Sequence, residues 1–531
     1  MKTVLMFLAA MAAVAADYEA AGKTWWKHVA FLADDKLEGR NTGSEGHKIA
    51  ANYVAQEFER AGLKAAGTKG YIQPVPFAVR QIDEPNSLVE IIPAAGGAAQ
   101  RVKFGEEVLL STRGAAAGGG EPVEAEVVFV GYGLTVPDAN YDDLKGLDLK
   151  GKIVAMLAGG PKSIQGNLRS HFSSAGERGK FLKAAGVIGT VSIANPKAMD
   201  IPWARQAASR LQPSMSLADP KMEEGGGMKC AMAFNPEKAE RLFAGSGHTF
   251  KEILAAADAD QPLPKFALPF RLRVKTAAKT SAVESQNVVA LLEGSDRKLR
   301  NEYVVLSAHL DHLGKAQAVE GDRIFNGAMD NASGIAWLLE TARRLKESGL
   351  KPRRSLIFVA VTGEEKGLQG SKFFTESPTI KGATMVADIN MDMVLPLFPL
   401  RYLEVQGLGE STLGADIRAV CAPHKVEVQF DKEPDRNRFI RSDQYSFIKK
   451  GIPSLAFKFG WVPGSPQEKI YKDWYRDRYH GLSDDLNQPV DLAGAGEFTQ
   501  ILFELLSRVA NADERPRWND DSFFKRFAIS R

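Results

Sequence analysis

Tyr303-Val304-Val305-Leu306-Ser307-Ala308-His309-Leu310-Asp311-His312 is a strand-length apolar run that ends abruptly in imidazole, carboxylate and imidazole. Two further stretches repeat the design. Ser355-Leu356-Ile357-Phe358-Val359-Ala360-Val361 is followed by Thr362-Gly363-Glu364-Glu365, and the run at 385–389 by Asn390-Met391-Asp392. Apolar runs this short and without alternation read as strands covered on both faces. Between the first two, Ile335, Leu338, Leu339, Ala342 and Leu345 share one helical face, and Gly349 stands near its end. Residues 287–292 and 454–459 add further strand candidates. Strands alternating with helices predict an α/β fold: a mixed, mostly parallel sheet with helices on both faces.

In an open sheet of this kind, ligands collect beyond the carboxyl ends of the strands. His309, Asp311, Glu364, Glu365 and Asp392 all follow strands directly, and Asp330 in Gly327-Ala328-Met329-Asp330-Asn331 precedes the helix, at the same edge. His480 in Arg478-Tyr479-His480-Gly481 completes the set. Carboxylates crowded at a buried edge repel one another unless cations neutralise them. His309, Asp330, Glu365, Asp392 and His480 offer two imidazoles and three carboxylates, one of them shared, which suits two divalent ions with open positions. Nitrogen and oxygen donors favour two Zn2+ ions, with Co2+ or Mn2+ as possible substitutes. The chain has 2 cysteines, Cys230 and Cys421, far apart, so no thiolate zinc cluster exists and the two are expected to be unpaired.

The order AHLDH, GAMDNASG, TGEEKGLQGS, NMDM and YHGLSDD resembles the M28 family of zinc exopeptidases. The segment that begins at Leu37 and runs to 63, and residues 441–457, resemble it too. The stretches VVFVGYGL, DLKGKIVAML and KAAGVIGTV are similar to its protease-associated insert. The resemblance implies a zinc-peptidase, phosphorylase/hydrolase-like sheet with that β-rich domain inserted. It implies that Asp330 bridges both metals, Glu365 and His480 complete one site, and His309 and Asp392 complete the other. Glu364 becomes the general base. The carboxylate of Asp311 would hold the second nitrogen of His309, and Tyr479 would donate to the developing oxyanion. A cis Asp330-Asn331 peptide fits the resemblance. Met329, Gln444 and Ser483 depart from the family pattern, the first two in ways that would alter the pocket.

At 531 residues, with 44% hydrophobic and 25% charged residues and a net charge of +3, the chain reads as a soluble multi-unit protein with no polyanion partner. Residues 1–16 read as a signal peptide, a basic start with a short apolar run, predicting export to the periplasm or beyond. No stretch is long and apolar enough for stable membrane insertion. The expected units are 17–114, the N-terminal part of the peptidase domain; 115–265, the insert; 266–512, the catalytic domain; and 513–531, a charged, loosely held tail. His312 is expected to be structural, Asp484 to cap a helix, and Arg438, Arg441 and Arg478 to lie at the surface. The predicted function is a two-zinc exopeptidase acting on peptides, foremost an aminopeptidase. A carboxypeptidase or dipeptidase on the same site, and a non-catalytic binding relative, remain rivals. The oligomeric state is open.

Overall fold

The computed structural model describes residues 17–112, 120–199, 201–222, 228–316, 321–434 and 436–528. The expected signal peptide at 1–16 lies outside them. The strands used below are β1 (Ile72–Ile82), β2 (Leu88–Pro93), β3 (Val108–Leu110), β4 (Val123–Val130), β5 (Ile153–Leu157), β6 (Gly189–Ile193), β7 (Ser214–Leu217) and β8 (Cys230–Phe234). They continue as β9 (Lys265–Lys275), β10 (Ala277–Leu292), β11 (Glu302–His309), β12 (Ser355–Val361), β13 (Thr384–Asn390), β14 (Tyr402–Gln406), β15 (Glu427–Gln429) and β16 (Ser454–Phe459).

The larger sheet runs β7-β1-β10-β12-β11-β13-β16-β14-β15. Its centre, β12-β11-β13-β16, is parallel, while β7, β1 and β10 pair antiparallel on one flank. The α/β expectation of a mixed sheet therefore holds, with the strands that carry the charged ends inside the central parallel block and a further parallel pair, β14-β15, at the other flank. Every residue of β11, β12 and β16 is buried. The side chains alternate between two cores. Val304, Leu306, Leu356 and Phe358 face one, and Val305, Ile357 and Val359 face the other, as the period of two requires. Helices α1 (described over 17–32), α2 (Glu45–Arg60), α3 (Ser333–Ser348) and α4 (Leu492–Asn511) supply Trp25, Phe58, Trp337 and Phe498 to the first core. Trp25 and Trp337 lie with ring centroids 4.7 Å apart. Phe374 and Phe447, from short helices on the opposite face, fill the second. α3 stops at Gly349, whose φ of 65° takes the left-handed cap that glycine adopts without penalty.

A second sheet runs β2-β9-β4-β5-β6-β8-β3, with β4, β5, β6 and β8 parallel. It draws on chain from 88 to 275, reaching beyond 115–265 on both sides, because β2 pairs with β9 and β3 with β8. In return β7 leaves this stretch and pairs antiparallel with β1 at the edge of the larger sheet. The two sheets are thus laced together by strand exchange. Cys230 and Cys421 are free and buried in different cores.

One expectation fails at the C-terminus. The stretch after 512 is not loosely held: Trp518, Phe523 and Phe524 are buried in the core of the second sheet beside Phe439 and Ile440. The Trp518 indole donates to Gly451 O at 3.0 Å, and Arg526 pairs with Asp138 at 2.7 Å. The charges that mark the segment face outward around an aromatic anchor. Among the described residues no helix is long and apolar enough to cross a membrane.

Candidate metal centre

Three adjacent parallel strands end side by side. β11 ends at His309, paired with Val361 of β12, and Ser307 is paired with Asn390 of β13. The residues that follow β12 and β13, Glu364-Glu365 and Asp392, therefore emerge at one edge. Asp330 reaches that edge in the tight turn Ala328–Ala332 before α3, and its peptide to Asn331 is cis.

His309 Nε2 lies 3.3 Å from Asp330 Oδ1 and 3.5 Å from Asp392 Oδ1. His480 Nε2 lies 3.2 Å from Asp330 Oδ2 and 3.3 Å from Glu365 Oε2. One carboxylate thus turns each oxygen toward a different imidazole. A tetrahedral ion with bonds of about 2.0–2.1 Å holds its donor atoms about 3.3 Å apart. The two triads match that spacing, so the donor set fits a pair of ions sharing Asp330. His312 is the surprise. Its Nδ1 lies 2.8 Å from Glu365 Oε1, and with Asp330 and Glu365 it too forms a metal-sized group. His312 is fully buried and does not border the cavity, whereas His480 does. His480 is therefore the imidazole that shares a cavity with the other four, and His312 steadies Glu365 from behind.

The electrostatics follow from burial. Burial raises the carboxyl of Asp330, but hydrogen bonds from His309 and His480 outweigh it and hold it well below the usual range. Burial lowers His309, yet Glu364, Asp330 and Asp392 carry it well above its ordinary value. Glu364 moves the opposite way: burial, with Glu365, Asp392 and Asp443, pushes its carboxyl well up. Two neighbouring glutamates are thus split, one held ionised and one inclined to keep a proton.

Asp311 acts differently from expectation. Its carboxylate is 4.0 Å from His309 Nδ1, and its main-chain carbonyl takes that place at 3.1 Å. The carboxylate instead accepts the Glu364 amide at 3.1 Å and the Thr42 hydroxyl at 2.8 Å. Two residues after a strand end, the backbone reaches the ring sooner than the side chain can. Tyr479 borders the cavity with its ring 4.2 Å from that of His480. Burial and the Asp330 carboxylate keep its phenol protonated, hence a donor.

Met329 is buried in the core and does not border the cavity, so that departure leaves the pocket unchanged. Gln444 does border it, and its amide oxygen accepts from Asn390 at 2.7 Å. Asp484 is no helix cap. Fully buried, it accepts the amides of Met329 and Asp330, each at 3.0 Å, and so fixes the turn that presents Asp330. Arg438 borders the cavity and is half-buried, Arg441 borders it too but is exposed as expected, and Arg478 bonds to the Ser483 carbonyl away from it.

Sequence reading missed Arg40. Its buried guanidinium donates to the carbonyls of Leu310, Asn326 and Gly327 at 3.0, 2.7 and 2.9 Å, tying the His309 and Asp330 loops together. Burial pulls it down to about 10, while Asp484 and Asp330 pull it back up. Beside it Gly39 has a φ of 71°, and a Cβ there would meet the carbonyls of Gly314 and Phe325 at 2.5 Å, a close approach visible only in the fold. Arg205, from the chain between β6 and β7, donates to the carbonyls of Tyr479 and Arg476 and braces the His480 loop.

Residues 287–506 match the model of Peptidase family M28. A probable zinc metalloprotease of Pyrenophora teres f. teres is 35% identical over 112 residues, 21% of this chain and 23% of that protein. The glutamate carboxypeptidase 2 homolog of Caenorhabditis elegans is 23% identical over 483 residues, 80% of this chain and 58% of that one. The chain therefore spans 23% and 58% of the length of these curated relatives. The aminopeptidase from Aneurinibacillus sp. strain AM-1 superposes with a TM-score of 0.56 at 20% identity, covering 94% of this chain and 97% of that chain, and so shares the fold. The segment that matches the family contains His309, Asp330, Glu364, Glu365, Asp392 and His480, and it is this part of the chain that is similar to peptidase family M28.

Proposed function

We propose that the chain is an exported zinc metallo-exopeptidase, most directly an aminopeptidase, that hydrolyses the peptide bond at a chain end. One observation carries this reading: both oxygens of Asp330 face separate imidazoles, while Glu364 borders the same cavity yet belongs to neither triad. His309 and Asp392 would hold one Zn2+, His480 and Glu365 the other, and Asp330 both. Bound there, the ions supply Lewis acidity toward the scissile carbonyl and a water acidified enough to attack it.

The chain's own groups do the rest. Glu364 takes a proton from the attacking water and returns it to the leaving amine, a role that needs a carboxyl poised above its usual range. Asp311 fixes Glu364 through its amide and presents its own carbonyl to His309 Nδ1, leaving Nε2 for the ion. The Tyr479 hydroxyl donates to the oxygen that gains charge. The fold shared with the Aneurinibacillus aminopeptidase supports trimming from the amino end. A second reading, trimming from the carboxyl end, is favoured by Arg438, Arg441 and Lys458 at the cavity.

The test is a library of unblocked and N-acetylated peptides offered to the zinc-loaded enzyme and to Glu364→Gln. Trimming of unblocked peptides alone, falling on the order of 100-fold or more in the variant with its metal retained, is the expected result. Cleavage of the blocked set from the other end selects the second reading. A fully metallated enzyme that cleaves nothing ends the peptidase reading.

A further inference from the structure

Beyond the ligand set, the cavity continues across the sheet from β13 to β16 and β14. That wall carries Lys458 and Ala456 of β16 and Gln406 of β14, with Arg438, Arg441 and Tyr475 beside them. Pockets that select a terminal leucine or phenylalanine are lined by apolar side chains. Here the aliphatic contribution is Met393 and Ala456.

Three features of this wall ask for an anion. Gln406 borders the cavity, is 4% exposed, and its amide nitrogen has no hydrogen-bond partner among the described residues. Buried amide donors are nearly always satisfied, so an acceptor is missing. Lys458 is buried too, and its ammonium donates to the carbonyls of Asp392 at 2.7 Å and Met393 at 2.8 Å. An ammonium has three donors. Arg438 is held stiffly: Nη2 meets Glu433 at 2.9 Å, and its guanidinium lies 4.8 Å from the Tyr475 ring centroid and 5.9 Å from that of Tyr471. A fixed guanidinium fork at a cavity wall matches a carboxylate. The nearby counter-charge, Glu404, shares the sheet face of Gln406 and Lys458 but does not border the cavity. Glu404 stands opposite Lys458 in register, and burial with Asp431 pushes its carboxyl up to about 7, so near neutrality its charge is only partly developed.

We propose that this wall is a carboxylate subsite, in which Arg438, Lys458 and the Gln406 amide receive a carboxylate of the substrate's terminal residue and make acidic-ended peptides the preferred substrates. The inference rests on the exopeptidase reading and deepens it. The carboxylate comes either from the side chain of an amino-terminal Glu or Asp or from the α-carboxylate of a carboxyl-terminal residue, and the chemistry of the wall is the same for both.

The zinc-loaded full chain is assayed with the p-nitroanilides of Glu, Leu and Lys, and with N-acetyl-Ala-Leu and its C-terminal amide. Expected is either a kcat/KM at least tenfold higher for the glutamyl than for the leucyl anilide, carried by KM, or cleavage of the free-acid dipeptide but not of its amide. The first outcome assigns the side-chain carboxylate, the second the α-carboxylate. Arg438→Met lowers that selectivity tenfold or more, and Gln406→Leu by a smaller factor. Gln406→Leu also serves if the arginine variant does not fold. Preference for the leucyl or lysyl anilide, with the amide cleaved as well as the acid, overturns the subsite while leaving the peptidase intact. If nothing is cleaved, the peptidase reading fails on its own. Calorimetric binding of L-glutamate against L-leucine then decides the subsite: tenfold tighter glutamate sustains it, and equal affinities refute it.

Discussion

Both sheets of this molecule contain four neighbouring parallel strands, yet only one concentrates ionisable groups at their carboxyl ends. In the larger sheet, β11, β12 and β13 deliver His309, Glu364, Glu365 and Asp392 to one edge. In the second, β4 runs into Gly131-Tyr132-Gly133, β5 into Ala158-Gly159-Gly160, and β8 into Asn235. Asp143, a buried carboxylate near those ends, is spent internally. It accepts the amides of Tyr132 and Leu134 at 3.1 and 3.2 Å and the Tyr141 hydroxyl at 2.8 Å. Asp330, by contrast, points its oxygens at imidazoles across a gap the size of an ion. Parallel topology offers a binding edge. Side chains whose hydrogen bonding is left incomplete turn that edge into a site.

The comparison breaks most decisively at Asp330. Asp330→Asn is expected to weaken metal binding well beyond the roughly 100-fold that losing an outer partner costs, and to abolish hydrolysis. Elemental analysis after dialysis reads it out, and an unchanged metal content would remove the distinction between the two edges. The tail gives the next largest effect, in the other sheet. Phe524 is fully buried, with Phe439 and Trp518 rings at 5.3 and 5.6 Å. Phe524→Ala should destabilise the fold by about 3–5 kcal/mol in denaturant titrations while metal content is retained. Loss of metal in that variant would show the two sheets to be one cooperative unit.

A third test concerns acid. His47 is fully buried near the larger sheet's edge, and burial lowers its pKa from 6.5 to about 4. The folded state prefers the neutral ring, so this contribution is complete above pH 6.5 and is lost as pH falls through about 4. A drop of that size corresponds to about 3 kcal/mol. His47→Gln should flatten the acid limb of stability against pH, and an identical limb in both proteins would refute the assignment. The smallest effect belongs to Asp143→Asn, expected to cost about 1–3 kcal/mol of stability with metal content and kcat unchanged. A change in metal content there would make the second edge a site as well.

Much of this was legible beforehand, for a local reason. The strand at 355–361 coincides with β12, and the expected turn after it does place Glu364 and Glu365 at the edge. An apolar run followed by a charged pair encodes both an element and the position of its end. The strand expected at 287–292 is the last part of a longer β10, whose residues 278–288 pair with β1, because a partner strand lets polar residues extend a strand that composition alone would end. The tail misled for the opposite reason. Its abundant charges conceal three aromatic anchors whose pocket is built from residues far away in sequence.

The sequence by itself determined the residue types at the strand ends, the order of strands and helices, and hence the edge at which five donors would gather. These depend on patterns within about ten residues, where period and composition dictate local geometry. The tertiary structure alone decided which groups meet. Asp484 supports a turn 154 residues earlier, Arg40 joins loops 270 and 287 residues later, and the carbonyl of Asp311, not its carboxylate, orients His309. Such contacts leave no periodic trace in the chain, because they are selected by the shape and unsatisfied hydrogen bonds of a cavity that exists only once the sheets have assembled.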